Sequence, residues 1–249
     1  MPRLLSRLLV LGLVTAALAG CDTRAARKTA IAAQMDGWAE HGDYGGLFTE
    51  FRRGFPADYA ALKTEISDGY ADGEKEEALK HKAFVRMRSF SAAHAGDVAR
   101  APTANLVELA RFQREAVHAL ALENTQACAD FSMSAIKENA KLSNKALEIM
   151  NRGSAVQLRA ARAGIDHPTD HPPFGRDAAR ELISVLAKKG VTIPATVEAI
   201  PVAEQCHMGV VLYDVVRDMP PEDTAAFIAA ATIRAGKGHG QDGLAANQL

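Results

Sequence analysis

The sequence predicts an all-α protein, an irregular multi-helix bundle that forms one domain and holds one disulfide. From Met35 almost to the end of the chain, apolar residues recur at spacings of three and four, which is the period of one helix face. The only β-like run, residues 191–193, is too short to carry a sheet. Alanine is abundant and aromatic residues make up 6% of the chain, which suits closely packed helices better than a barrel or a sandwich.

Two helices are predicted before residue 100. The first begins at Pro56, because a proline at the first helical position sacrifices no hydrogen bond. Its apolar residues recur at helical spacing: Phe55, Tyr59, Leu62, Ile66 and Tyr70. The second covers residues 74–95 and is predicted to stop at Gly96. Its expected inward positions are Leu79, Ala83, Val85, Met87, Phe90 and Ala93.

The clearest helix follows Pro102. A rotation of 100° per residue puts six apolar side chains on one face: Leu106, Leu109, Phe112, Ala116, Val117 and Leu120. Glycine and proline are then absent up to Gly153. An unbroken helix of that length would extend roughly 75 Å, which exceeds a compact domain of this size. A corner is therefore predicted at residues 124–134, followed by a second long helix whose stripe of apolar and small residues runs from Ile136 to Ile165.

The next segment, residues 166–173, holds three prolines and is predicted to be a linker without regular helix. A helix over residues 175–189 follows, with cations in its last turn and Gly190 as its C-terminal cap. Its expected inward residues are Ala178, Ala179, Leu182, Val185 and Leu186.

Two further helices complete the predicted domain. One opens at Pro201, and its expected inner side holds Val202, Cys206, Gly209, Val210, Tyr213 and Val216. The other is alanine-rich and covers residues 222–234, after a pair of prolines. Residues 236–249 hold little apolar bulk and are predicted to be a disordered tail.

The start of the chain has the composition of an export signal. Arg3 and Arg7 give a basic beginning, and residues 8–17 form an apolar segment about half as long as a membrane-spanning helix requires. The tetrapeptide Leu18-Ala19-Gly20-Cys21 closes this segment. It resembles the lipobox of bacterial lipoproteins, whose cysteine receives a diacylglyceryl group, becomes the new N-terminus and is then acylated.

The resemblance implies a signal peptide over residues 1–20 and a periplasm-facing protein attached to the membrane through Cys21. Asp22 resembles the inner-membrane retention signal of enterobacterial lipoproteins, so the inner membrane is favoured over the outer one. Residues 21–34 are small and charged and are predicted to be a tether or a loose first helix, before a helical domain over residues 35–235. The alternatives are a secreted protein cut nearby and a cytosolic protein with an apolar start.

The predicted export bears on the state of the remaining cysteines. With Cys21 acylated, Cys128 and Cys206 are the two remaining thiols of an exported chain, and an oxidising compartment favours their pairing. The closed loop would contribute about 4 kcal/mol in the chain-entropy model, less any strain. The alternative is two buried free thiols. Neither cysteine belongs to a C-x-x-C pair that would indicate a catalytic thiol.

The charge of the mature part carries no nucleic-acid signature. Removing the leader takes away two of 29 basic side chains and none of the 30 acidic ones, which leaves 27 against 30 and a net charge of −3. Acidic residues concentrate at 65–77 and basic residues at 137–162. Both stretches are predicted to be solvated helix faces.

One cluster carries metal-ligand chemistry. Asp166, His167, Asp170 and His171 place two imidazoles and two carboxylates within six residues, a set that could bind Zn²⁺ or another divalent ion. The neighbouring prolines argue against a helix that would align the two histidines, and no glutamate completes a His-Glu-x-x-His motif. The alternative is a polar, turn-forming linker.

Other candidate residues have simpler interpretations. Trp38 and Tyr44 flank a glycine-rich turn at 42–46 and are predicted either to form a ligand platform or to cover the end of the core. His207 lacks the paired cysteines of a haem attachment motif and is predicted to pack at the core edge. Asp43 has no partner carboxylate at a spacing typical of hydrolases. The sequence holds no Gly-x-Ser-x-Gly motif, phosphate-binding glycine loop or dinucleotide fingerprint, so no cofactor is predicted.

These observations lead to three functional hypotheses. The first is a non-enzymatic, lipid-anchored helical protein that binds another envelope protein or a small molecule through a helix face or groove. The second is an envelope enzyme with a site between helices, with metal assistance through His167 and His171 as one possibility. The third is an inhibitor or immunity protein that docks on a toxin or hydrolase.

Overall fold

The computed structural model describes residues 23–133, 142–191 and 200–238. In these ranges the chain forms eleven α-helices and one 3-10 turn, with no strand, which confirms the all-α class. The contacts divide the chain into two compact units, Met1–Met87 and Arg88–Leu249, and the division falls within the sequence of one helix. The predicted leader and the greater part of the predicted tail lie outside the described residues.

The first unit is built on three helices that all pack against one another, α1 on α2 and α3, and α2 on α3. Its elements are α1 (Arg24–His41), a 3-10 turn (Tyr44–Gly46), α2 (Leu47–Gly54), α3 (Pro56–Ala71) and the beginning of α4 (Glu76–Ala93). The core consists of Ile31, Met35, Ala39, Phe51, Phe55, Tyr59, Leu62 and Leu79. The helix predicted from Pro56 is confirmed as α3, with that proline at its N-terminus.

Residues 24–34, predicted as a tether or a loose helix, form the first half of α1. Thr23 caps the helix by accepting a hydrogen bond from the Ala26 N–H, and Ile31 is buried against the core. In α4 the predicted inward face is wrong for Val85, which is 46% exposed, and for Ala93, which is also exposed. Val85 follows the buried Leu79 by six residues, a helical rotation of about 240°, so the two side chains cannot share one face.

The acidic stretch at 65–77 lies on a solvent-accessible face, as predicted, and it also forms ion pairs with basic residues of α1 and α4. The pairs are Asp68 with Arg24 and Lys28, Asp72 with Arg24, Glu65 with Arg86, and Glu74 with Lys82. All of these side chains are partly exposed, so each pair contributes at most about 1 kcal/mol.

The second unit surrounds one central helix, α6, which packs against α7, α8, α10 and α11. Its elements after the end of α4 are α5 (Ala95–Ala99), α6 (Thr103–Glu123), α7 (Thr125–Ser132), α8 (Asn144–Asp166), α9 (Arg176–Lys188), α10 (Val202–Asp218) and α11 (Pro221–Gly238). All six side chains predicted for the inner face of α6 are buried, which confirms that helix and its orientation.

The predicted corner after α6 is confirmed. Asn124 leaves the helical conformation and its side chain accepts a hydrogen bond from the Ala127 N–H, which starts α7 in a new direction. The predicted stop at Gly96 is wrong, since α4 ends at Ala93 and Gly96 lies inside α5. The backbone of His94, with φ −98° and ψ 9°, separates the two helices and makes a glycine stop unnecessary.

Small residues of α8 permit close helix packing, as its sequence predicts. A Cβ added at Gly153 would lie 1.8 Å from the Phe112 ring of α6, and one added at Gly164 would lie 1.8 Å from the carbonyl oxygen of Asp97 in α5. Both glycines therefore mark places where a neighbouring element touches the backbone of α8.

The last helices differ from prediction at their ends. The predicted cap at Gly190 is confirmed by its left-handed φ of +82°. Val202, expected to face inward, lies in the exposed first turn of α10. The first three residues of the predicted tail belong to α11, because Gly236 packs against α5, where its added Cβ would lie 2.5 Å from the Ala95 Cβ.

Candidate functional site

Cys128 and Cys206 form the disulfide that the sequence predicts. The bond joins α7 to α10, and the two Cα atoms lie 5.1 Å apart. Both cysteines are buried, in a cluster with Val117 and Leu120 of α6 and Tyr213 of α10. Burial raises the pKa of Tyr213 to about 12. The cluster has the character of a structural core and leaves the sulfurs away from solvent.

The four predicted metal ligands are not brought together. Arg162 makes a bidentate ion pair with Asp166 at 2.7 Å, and His171 donates a 2.7 Å hydrogen bond from Nε2 to the Ala101 carbonyl oxygen. His167 and Asp170 are exposed. Among the described residues, no group of three or more histidine, cysteine, aspartate or glutamate side chains is arranged to hold a metal ion. The polar-linker alternative fits this segment, since His171 binds a neighbouring backbone carbonyl while His167 and Asp170 are exposed.

His207 is exposed on α10, so its predicted packing at the core edge is wrong. The inner stripe of α10 runs through Cys206, Gly209, Tyr213 and Val216, which are all buried. His207 directly follows Cys206, so its side chain is rotated by about 100° from that stripe and faces outward.

Trp38, Tyr44 and Phe48 form a half-buried aromatic cluster at the turn between α1 and α2. The Trp38 and Tyr44 rings meet edge to face with centroids 5.0 Å apart, and Phe48 lies 5.5 Å from both. Sequence reasoning found the first two residues but missed Phe48, which lies on the first turn of α2. The three rings are too close together to enclose a ligand, so only their outer faces could contact one.

The backbone of this turn is strained at one residue. Tyr44 has a φ of +55°, a left-handed conformation that is uncommon for a side chain with a Cβ and costs roughly 1 kcal/mol. Gly42, Gly45 and Gly46 also have positive φ, and glycine adopts it freely. Burial, with a smaller contribution from the charge of Asp43, raises the pKa of Tyr44 to about 12. The turn therefore holds a neutral phenol against Trp38 at the expense of backbone strain.

A polar group in the first unit joins α1 to α3. Asp36 accepts hydrogen bonds from Lys63, at 2.9 Å, and from the Tyr59 hydroxyl, at 3.0 Å. The hydrogen bond from Lys63 lowers the pKa of Asp36, while burial raises the pKa of Tyr59. Each member has its partner, so the group ties two helices together.

One charged cluster of the second unit joins α6 to α10. Asp214 Oδ1 accepts hydrogen bonds from Arg114 Nε at 2.6 Å and from His118 Nε2 at 3.0 Å. Burial alone would raise the pKa of Asp214, but the hydrogen bonds from His118 and Arg114 outweigh it and leave that pKa below its ordinary value. An imidazole held by a carboxylate has the parts of an acid–base pair.

Arg114 and His118 lie opposite the apolar face predicted for α6, and nothing in that pattern connects them with Asp214. The two residues stand one helical turn apart, a spacing that would let both reach one carboxylate. Nothing in the linear sequence selects a partner about 100 positions later, so only the packing of α6 against α10 reveals the cluster.

No family model, curated protein or solved structure matches the chain. Over the described residues, no helix combines the length and the apolar character that crossing a membrane requires.

Proposed function

We propose that this chain is an exported, lipid-anchored helical protein of the bacterial envelope, and that it acts as a non-enzymatic binding module facing the periplasm. The leader ending in Leu18-Ala19-Gly20-Cys21 supports export and acylation. One structural observation carries the proposal, the buried bond between Cys128 and Cys206. Disulfides persist in oxidising compartments, and these cysteines lie far from the leader, so the two arguments for export are independent.

The beginning of α1 determines how the anchor would hold the protein. Three peptide units separate Cys21 from Arg24, the first residue of the helix. Even fully extended, they span no more than about 11 Å. A body acylated at Cys21 would therefore rest against the membrane surface, with the basic first turn of α1 at the lipid headgroups.

The aromatic cluster of Trp38, Tyr44 and Phe48 supports a binding role. Backbone strain such as that of Tyr44 concentrates at functional sites, and half-exposed aromatic side chains are frequent in binding surfaces. Trp38 is the single tryptophan of the chain, so its fluorescence would report contact with this surface.

Acylation tests the anchor directly. Cells expressing the wild type or Cys21→Ser are labelled with palmitate, and the mature chain is analysed by mass spectrometry. We expect label and a start at Cys21 in the wild type, and neither in Cys21→Ser. Cys206→Ser is the matched control and should keep the label. A native chain that begins at Met1 with unmodified Cys21 and reduced Cys128 would overturn the proposal.

A further inference from the structure

We draw no further inference here: the strongest candidate, the solvent-facing side of α1 formed by Ala26, Thr29, Ala30 and Ala33, is a stripe of small residues, and nothing among the described residues shows what covers it.

Discussion

Gly164→Ala tests the close packing of α8 against α5. The added methyl group would lie 1.8 Å from the Asp97 carbonyl oxygen, 2.8 Å from its carbon and 3.0 Å from the Ala101 nitrogen. All three atoms belong to the backbone, so no side-chain rotation relieves the clash. An ordinary contact begins at 3.4 Å, which requires a separation of about 1.6 Å (3.4 − 1.8) between the two elements.

The expected loss combines two opposing effects. Overpacking costs roughly 1–3 kcal/mol, and withdrawing α5 partly exposes Val98, whose full burial contributes about 1.5 kcal/mol or more. In the opposite direction, replacing glycine by alanine inside a helix stabilises the helix by up to about 1 kcal/mol. We therefore expect a net destabilisation of about 2 kcal/mol, which lowers Tm by roughly 4–8 °C in a unit of this size.

Thermal unfolding followed by circular dichroism measures this loss. Gly96→Ala is the matched control, because it makes the same change in α5, where nothing lies within 4 Å of the new Cβ. That control should be as stable as the wild type or more so. A Gly164→Ala variant with the wild-type Tm would show that α5 does not pack as closely on α8 as described.

The remaining predictions concern other contacts of the second unit. Gly153→Ala should also lower the free energy of unfolding by about 2 kcal/mol, and adding Phe112→Leu should restore part of that loss, because the clash is with a side chain that can be shortened. The Tm values of both single variants and of the double variant measure this rescue. A double variant without any rescue would contradict the described contact. The double variant Cys128→Ala/Cys206→Ala should have a free energy of unfolding about 2–5 kcal/mol lower than the wild type. A reducing agent should lower the Tm of the wild type and leave the Tm of the double variant unchanged. Asp214→Asn should cost about 1 kcal/mol at pH 7, since its partners are partly exposed. The pKa of Asp214 is lowered by folding, so its contribution is complete above the unfolded value near 4 and disappears as pH falls through the lower folded value. The variant should therefore lose less stability than the wild type below about pH 4 in denaturant titrations, and an identical loss would contradict the assigned contacts.

The fold was predictable where helical periodicity and local chemistry agree. The six inner residues of α6, the proline that begins α3 and the cap at Gly190 all follow from short-range rules. The corner at Asn124 was predicted from the length of the segment alone, because an unbroken helix would have been longer than a compact domain of this size. Errors concentrate at α4, whose apolar residues are spread around the helix and do not identify one inner face.

The candidate sites were predictable only in part. The glycine-rich turn signalled the aromatic cluster, but the left-handed φ of Tyr44 and the contribution of Phe48 required the folded backbone. The second apolar stripe of α10, Met208, Val211, Leu212 and Val215, is visible in the sequence, but the helix that covers it, α9, is not. In the opposite direction, the histidine and aspartate cluster near residue 170 suggested a metal site that the structure does not assemble.

By itself, the sequence determined the helical class, several of the helices and the pairing of two cysteines. Each of these depends on residues within a few turns of one another or, for the disulfide, on elimination among very few thiols. Tertiary structure decided which charged residues meet, which glycines admit a neighbouring backbone, and which helix covers the second apolar stripe of α10. Some of those features depend on residues 100 or more positions apart, and the helical period specifies a face but not the helix that will cover it.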